Sequence, residues 1–187
     1  MRHSSVPLVA VFAAALFLGC EGSQDPTAPS ATIAAPRGAL PAATQVPFKG
    51  AFSGTGAASA GGRCEVLTVQ IAGTGTATHL GRFTTDQSHC AIPTSLDFTD
   101  GEFTLTAANG DQLRGTYSGE LVPLEPPLFA IDGQFTFTGG TGRFANATGG
   151  GNASGVQNLA SGDVTVELVG TISSIGSTKT ARWGLSR

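Results

Sequence analysis

The chain has 187 residues, with 10 Lys and Arg against 13 Asp and Glu, a formal net charge of −3. That balance leaves no basic stripe for a phosphate backbone and excludes nucleic acid as a partner. Only 12% of residues are charged while glycine fills 27 positions, so polar faces built from Thr and Ser, with tight glycine turns, point to an all-β exported domain.

In chain order, a short basic start (Arg2, His3) leads into an apolar run from Leu8 to Leu18. The run has the length of a secretory h-region and is too short to cross a bilayer as a helix. Its ending, Leu16-Phe17-Leu18-Gly19-Cys20, resembles the bacterial lipobox. The resemblance implies cleavage before Cys20 and diacylation of its thiol. Residues 1–19 are then a lipoprotein signal peptide, and the mature protein is lipid-anchored in the bacterial cell envelope, at the periplasmic face or the cell surface. Residues 20–45 are rich in Pro, Ala and Ser without an apolar period and read as a flexible, disordered tether.

From Val46 the apolar period is two, which predicts strands. Residues 46–53 hold Val46, Phe48 and Phe52, and the Gly/Ala/Ser run 54–62 reads as a loop. A strand follows over 63–73, then a turn at Gly73–Gly75, a strand over 75–85, and an irregular or edge segment over 88–98 because of Pro93. The clearest hairpin spans Gly101 to Leu121, turning at Asn109-Gly110. Leu113, Gly115, Tyr117, Gly119 and Leu121 share one face, as do Phe129, Ile131, Gly133, Phe135 and Phe137 after the proline loop 123–127. Further strands cover 149–159 and 163–172. About eight strands joined mostly by short turns predict an antiparallel up-and-down β-barrel over 46–176, with a tail over 177–187 and a sandwich as the alternative.

Cys64 and Cys90 form an even pair once Cys20 is assigned to lipid. Export makes a disulfide the natural reading. The alternatives are a metal pair, which lacks two further ligands at usual spacing, and a thiol–imidazole site with the adjoining His89.

At Thr138-Gly-Gly-Thr-Gly-Arg-Phe-Ala-Asn-Ala-Thr-Gly149 the chain resembles the allene oxide cyclase-like and dirigent-like barrels. Ile131–Phe137 fits the strand before that turn, and Thr78-His79-Leu80-Gly81-Arg82-Phe83-Thr84 is similar to bacterial secreted members of this broad group. The resemblance implies an eight-stranded antiparallel barrel whose lumen sometimes holds an apolar small molecule; it carries no catalytic set onto this chain. By its own physics the turn uses glycines for an unusual backbone path, with Phe144 dropping back as an apolar plug. Gly140–Ala145 also satisfies a dinucleotide fingerprint, but the glycines that follow cannot form the helix such a site requires.

Placed on a strand, His79 shares a face with Phe83 and is the one polar candidate for orienting a ligand or moving a proton in the lumen. The plainer reading is a histidine bonded to a neighbouring strand or exposed. Arg82 and Arg114 are placed to pair with Glu102, Glu120 or Asp97, and Glu65 is expected in solvent. Asp100-Gly101 and Asp132-Gly133 read as turn or bulge chemistry rather than calcium ligands. No cofactor, metal site or serine nucleophile elbow is expected.

The leading functional expectation is a non-enzymatic barrel that binds a small apolar ligand or serves as an envelope scaffold. Phe48, His79, Phe83, Phe103, Phe135 and Phe137 are the candidate lining. The alternative is an allene oxide cyclase-like or dirigent-like activity in the lumen, with His79 as the polar participant.

Overall fold

Alternation gives each strand one apolar face, and a single sheet of such strands buries all of those faces by curling until its edges meet. The computed structural model, which describes residues 43–173, shows that closure. The strands β1 (Gln45–Ala60), β2 (Leu67–Ala77), β3 (Gly81–Ile92), β4 (Asp97–Ala107), β5 (Gln112–Pro123), β6 (Leu128–Gly140), β7 (Gly149–Asn158) and β8 (Asp163–Ser173) pair antiparallel in sequence order. β8 returns to pair with β1 from Gln45↔Ser173 to Thr55↔Asp163. The architecture is the predicted eight-stranded up-and-down barrel, not a sandwich. The signal peptide read over 1–19, Cys20, the tether as far as 42 and the tail over 177–187 lie outside the described residues.

Several expected boundaries are corrected. The Gly/Ala/Ser run read as a loop continues β1 to Ala60, paired with Leu67 of β2. Small residues are needed there because Gly54 faces Gly73 backbone to backbone, where a side chain would collide with Ala72 and Gly73. For a similar reason Gly73–Gly75 is no turn: a side chain at Gly75 would run into Phe52 and the Phe83 ring. The chain instead reverses over Thr78–Leu80, with His79 at φ 68°. The segment 88–98 is no edge: it ends β3 and starts β4 around a turn that holds Pro93, with an irregularity where the β3–β4 register shifts between Ser88 and Cys90.

A β-bulge interrupts β4. Phe98 pairs with Gly119 of β5 and Gly101 with Tyr117, so three steps on one strand match two on the other. Asp100, at φ 53°, carries the extra residue, as the Asp-Gly reading anticipated. Asp132-Gly133 lies in unbroken register opposite Glu120 and Gly119 and forms no bulge. The effect in β4 is a change of parity: Phe103, Leu105 and Ala107 point inward at odd positions, and Phe98 points inward at an even one.

The turns alternate between two ends of the barrel, and those ends differ. At one end Phe48, Leu80, Leu113, Phe137, Phe144 and Ile172 are buried together. Phe144 comes from the 3-10 turn Gly142–Phe144 and is fully buried, the plug expected of that turn. Gly142 sits at φ 54° against Asp111, leaving no room for a side chain. At the other end are the β1–β2, β3–β4, β5–β6 and β7–β8 connections. There the inward positions of β1 are Gly54, Gly56 and Ala58, and the interior stays open.

Candidate functional site

Inside the barrel an aromatic column rises from the plug. Phe48 and Phe137 meet edge to face at 4.9 Å between centroids, and Phe135 lies 5.2 Å from Phe137. Above them Phe103 approaches Tyr117 at 6.3 Å, and Tyr117 approaches Phe98 at 6.0 Å. Each upper ring needs a neighbour without a side chain: Phe103 lies over Gly115 and Phe98 over Gly119 and Gly133. Gly115 and Gly119 of β5 and Gly133 of β6 are therefore seats for rings that reach over them from β4.

The lumen left by this column has a volume of about 60 Å³. It is lined by apolar groups that include Phe52, Ile71, Leu105, Ile131, Val166 and Leu168, together with Gln87, His89, Tyr117 and Gln157. No Asp, Glu, Lys or Arg lines it. A typical small-molecule pocket occupies about 300–1,000 Å³, so the lumen alone admits the end of a ligand rather than a whole one. It continues into a hollow at the mouth of about 370 Å³, lined by Leu67, Val69, Ile92, Leu96 and Leu159. His89, Phe98, Leu121 and Gln157 border both spaces and form the throat between them. A broader hollow of about 1240 Å³ lies mostly over the outer wall. Its exposed Thr74, Thr76, Arg82 and Thr84 converge on nothing buried, so the throat is the better candidate.

At the throat His89 Nδ1 lies 2.7 Å from the Tyr117 hydroxyl. The two residues come from β3 and β5, which are separated by β4, and the partners meet across the bulge region. His89 is 7% exposed. Burial, reinforced by the positive charge of Arg63, lowers its pKa from 6.5 to about 4, so the ring is neutral at pH 7. Burial raises the Tyr117 phenol well above its usual range, with Arg63 opposing, so the hydroxyl stays protonated.

Arg63 stands on the outer wall. Its guanidinium donates to Ser88 Oγ at 3.0 Å, to the Ser88 carbonyl at 2.8 Å and to the carbonyl of Asp100, and it lies 3.8 Å from Glu102. The next residue, Cys64, forms a disulfide with Cys90 of β3. This settles the pairing against a metal site or a free thiol, and it fastens the β1–β2 connection over the bulge beside the throat.

His79 is corrected. It lies in the β2–β3 turn at the plugged end, exposed, with Nε2 3.2 Å from the Pro47 carbonyl. A residue in the left-handed turn belongs to neither strand face, so His79 does not reach the lumen. Of the other candidates, Phe103 and Phe135 line the lumen, while Phe48, Phe83 and Phe137 are buried in the packing and do not border it. The expected ion pairs also change. Glu102 meets Arg63, Arg114 donates to Gln112 at 2.6 Å, and Arg143 approaches Asp111 at 3.7 Å. Glu65 is exposed, as expected.

The sequence reading weighed His89 only as a thiol partner of Cys90 and missed Phe98. A signal for His89 existed, because Thr85, Gln87 and His89 continue the face of Phe83 at period two. Treating 88–98 as irregular cut that alternation short. Phe98 had no such signal, since the bulge reverses its parity.

No family model matches the chain, and no curated protein sequence does. Among solved structures, a pterocarpan synthase dirigent protein aligns with a TM-score of 0.44 at 14% identity, over 69% of this chain and 83% of that one. The barrel assignment rests on the strand pairing of this chain, not on that slight likeness.

Proposed function

We propose that this protein is an exported, lipid-anchored barrel that binds a small apolar molecule through the open end of its lumen. The observation that supports binding is the asymmetry of the interior, plugged by Phe48, Phe137 and Phe144 at one end and continuous with an apolar mouth at the other. Large exposed apolar side chains cluster around that mouth, among them Val66, Val122, Leu124, Leu128 and Leu159. Such a concentration is characteristic of interaction sites rather than of inert surface. β1 begins, at Gln45, at the plugged end.

A ligand that binds only the folded barrel at a hundred times its Kd raises unfolding free energy by about 2.7 kcal/mol. Thermal unfolding of the exported protein against small aromatic and aliphatic compounds is therefore the test, with a rising, concentration-dependent midpoint as the expected result. The narrow lumen favours a second reading, a scaffold whose interior is filled by its own side chains; an unmoved midpoint with every compound would select it. The anchor has its own test. Cys20→Ser is expected to abolish labelling by radioactive or clickable fatty acid, and persistent labelling would overturn the lipobox reading.

A further inference from the structure

A hydrogen-bonded imidazole–phenol pair is an unusual thing to place in a lumen without charged side chains, and its chemistry narrows what can bind beside it. With both groups neutral, a 2.7 Å contact requires one of them to donate. A phenol donates more strongly than its oxygen accepts, so Tyr117 gives its proton to His89 Nδ1. That fixes the tautomer and leaves the imidazole proton on Nε2. No protein group among the described residues bonds Nε2, and no buried side-chain nitrogen or oxygen among them lacks a partner. Nε2 is therefore not sealed in: it opens onto the space that His89 borders at the throat.

Three ligand chemistries meet this donor differently. A hydrocarbon that covers Nε2–H leaves a buried donor unpaired, at the cost of its desolvation. A carboxylate could accept from it, but would pass Asp97 at the mouth and enter a throat with no cation inside, since Arg63 is engaged on the outer wall with Ser88, Asp100 and Glu102. A neutral molecule with an apolar body and one carbonyl or hydroxyl oxygen satisfies the donor without stranding a charge.

We infer that the throat selects neutral, oxygen-bearing apolar molecules by donating a hydrogen bond from His89 Nε2 to their oxygen, with Tyr117 as the positioning residue that sets the tautomer. This rests on the binding reading above and specifies its ligand class.

Three compounds of nearly equal size test it: acetophenone, ethylbenzene and benzoate, titrated into the exported protein at pH 7.5 by calorimetry. Acetophenone is expected to bind about 3- to 10-fold more tightly than ethylbenzene, the yield of one neutral hydrogen bond, and benzoate more weakly than either. The double variant His89→Phe/Tyr117→Phe removes both partners together, so neither polar group is left unpaired. It is expected to keep ethylbenzene binding and lose the preference for acetophenone. Equal affinities for acetophenone and ethylbenzene in the unaltered protein would overturn the selection while leaving apolar binding intact. A preference that survives in the double variant would overturn the role of His89. Binding of none of the three, with no shift in unfolding midpoint, would overturn both the selection and the binding reading. The comparison of compounds on the unaltered protein needs no variant to fold.

Discussion

The two ends of this barrel are built from the same strands and solve opposite problems. At the plugged end, β1 contributes Phe48, β6 contributes Phe137, and the turn after β6 buries Phe144 in the same cluster, so the interior is solid aromatic and aliphatic packing. At the open end, β1 contributes Gly54, Gly56 and Ala58, and the inward side chains of β3 and β5 include a histidine and a tyrosine. The difference shows how a strand of constant geometry can be stabilising in one half and permissive in the other. Volume at inward positions decides which, because eight strands enclose a space only just wide enough for side chains to fill.

The sharpest way to break the comparison is to empty the plugged end. Phe48→Ala removes a fully buried ring that contacts Phe135 and Phe137. A loss of about 3–5 kcal/mol is expected by urea unfolding, and a loss below about 1 kcal/mol would mean that the plug can collapse around the gap. At the open end the corresponding stabiliser is covalent. Cys64→Ser/Cys90→Ser releases the β1–β2 connection, and for a crosslink spanning 26 residues the expected loss is about 3.5 kcal/mol. Because the disulfide fastens the wall next to the throat, the double variant should also weaken acetophenone binding, whereas a surface crosslink remote from the throat would change stability alone.

A third measurement separates the ends by pH. The folded state holds His89 at about 4 against 6.5 for the free side chain. Between those values the unfolded chain takes up a proton that the folded barrel refuses. Stability is therefore unaffected by this group above pH 6.5 and falls as pH drops from 6.5 toward 4, by up to about 3 kcal/mol. The His89→Phe/Tyr117→Phe variant should lose this component of the acid dependence, and an unchanged pH profile of the unfolding midpoint would contradict the burial of His89. The smallest effect is expected at the rim. Val122→Ser and Leu159→Ser alter side chains that are 42% and 48% exposed, so stability should move by no more than about 0.5 kcal/mol. A larger loss would show that the rim is part of the core rather than an uncovered edge.

Much of the wall was legible because its information is local. Leu113, Gly115, Tyr117, Gly119 and Leu121 face one way in the sequence pattern and in β5, and Phe129 to Phe137 do so in β6. The Asn109-Gly110 turn falls between β4 and β5, where positive φ is needed at Gly110. The candidate site was legible only in part. Phe103 and Phe135 were read from alternation and do line the lumen, whereas His79, the only polar candidate weighed for it, has the plainer role of an exposed turn residue and His89 lies inside. Glycine misled in a consistent way: Gly73 and Gly75 look like turn residues in one dimension, and in three they make space for Gly54, Phe52 and Phe83. Whether a glycine serves conformation or clearance depends on what lies across the sheet, which the local sequence does not contain.

By itself the amino-acid sequence determined the strand period, the all-β class, the number of strands that close the sheet and the pairing available to Cys64 and Cys90, since each follows from alternation, turn chemistry or composition. Only the tertiary structure decided which end of the barrel is open and which histidine lies inside it. The reason is parity. One extra residue at Asp100 reverses the facing of the stretch that precedes it in β4, and a turn placed at Thr78–Leu80 instead of Gly73–Gly75 takes His79 off the strand altogether. Pairing across strands fixes both events, and each changes what the lumen presents to a ligand.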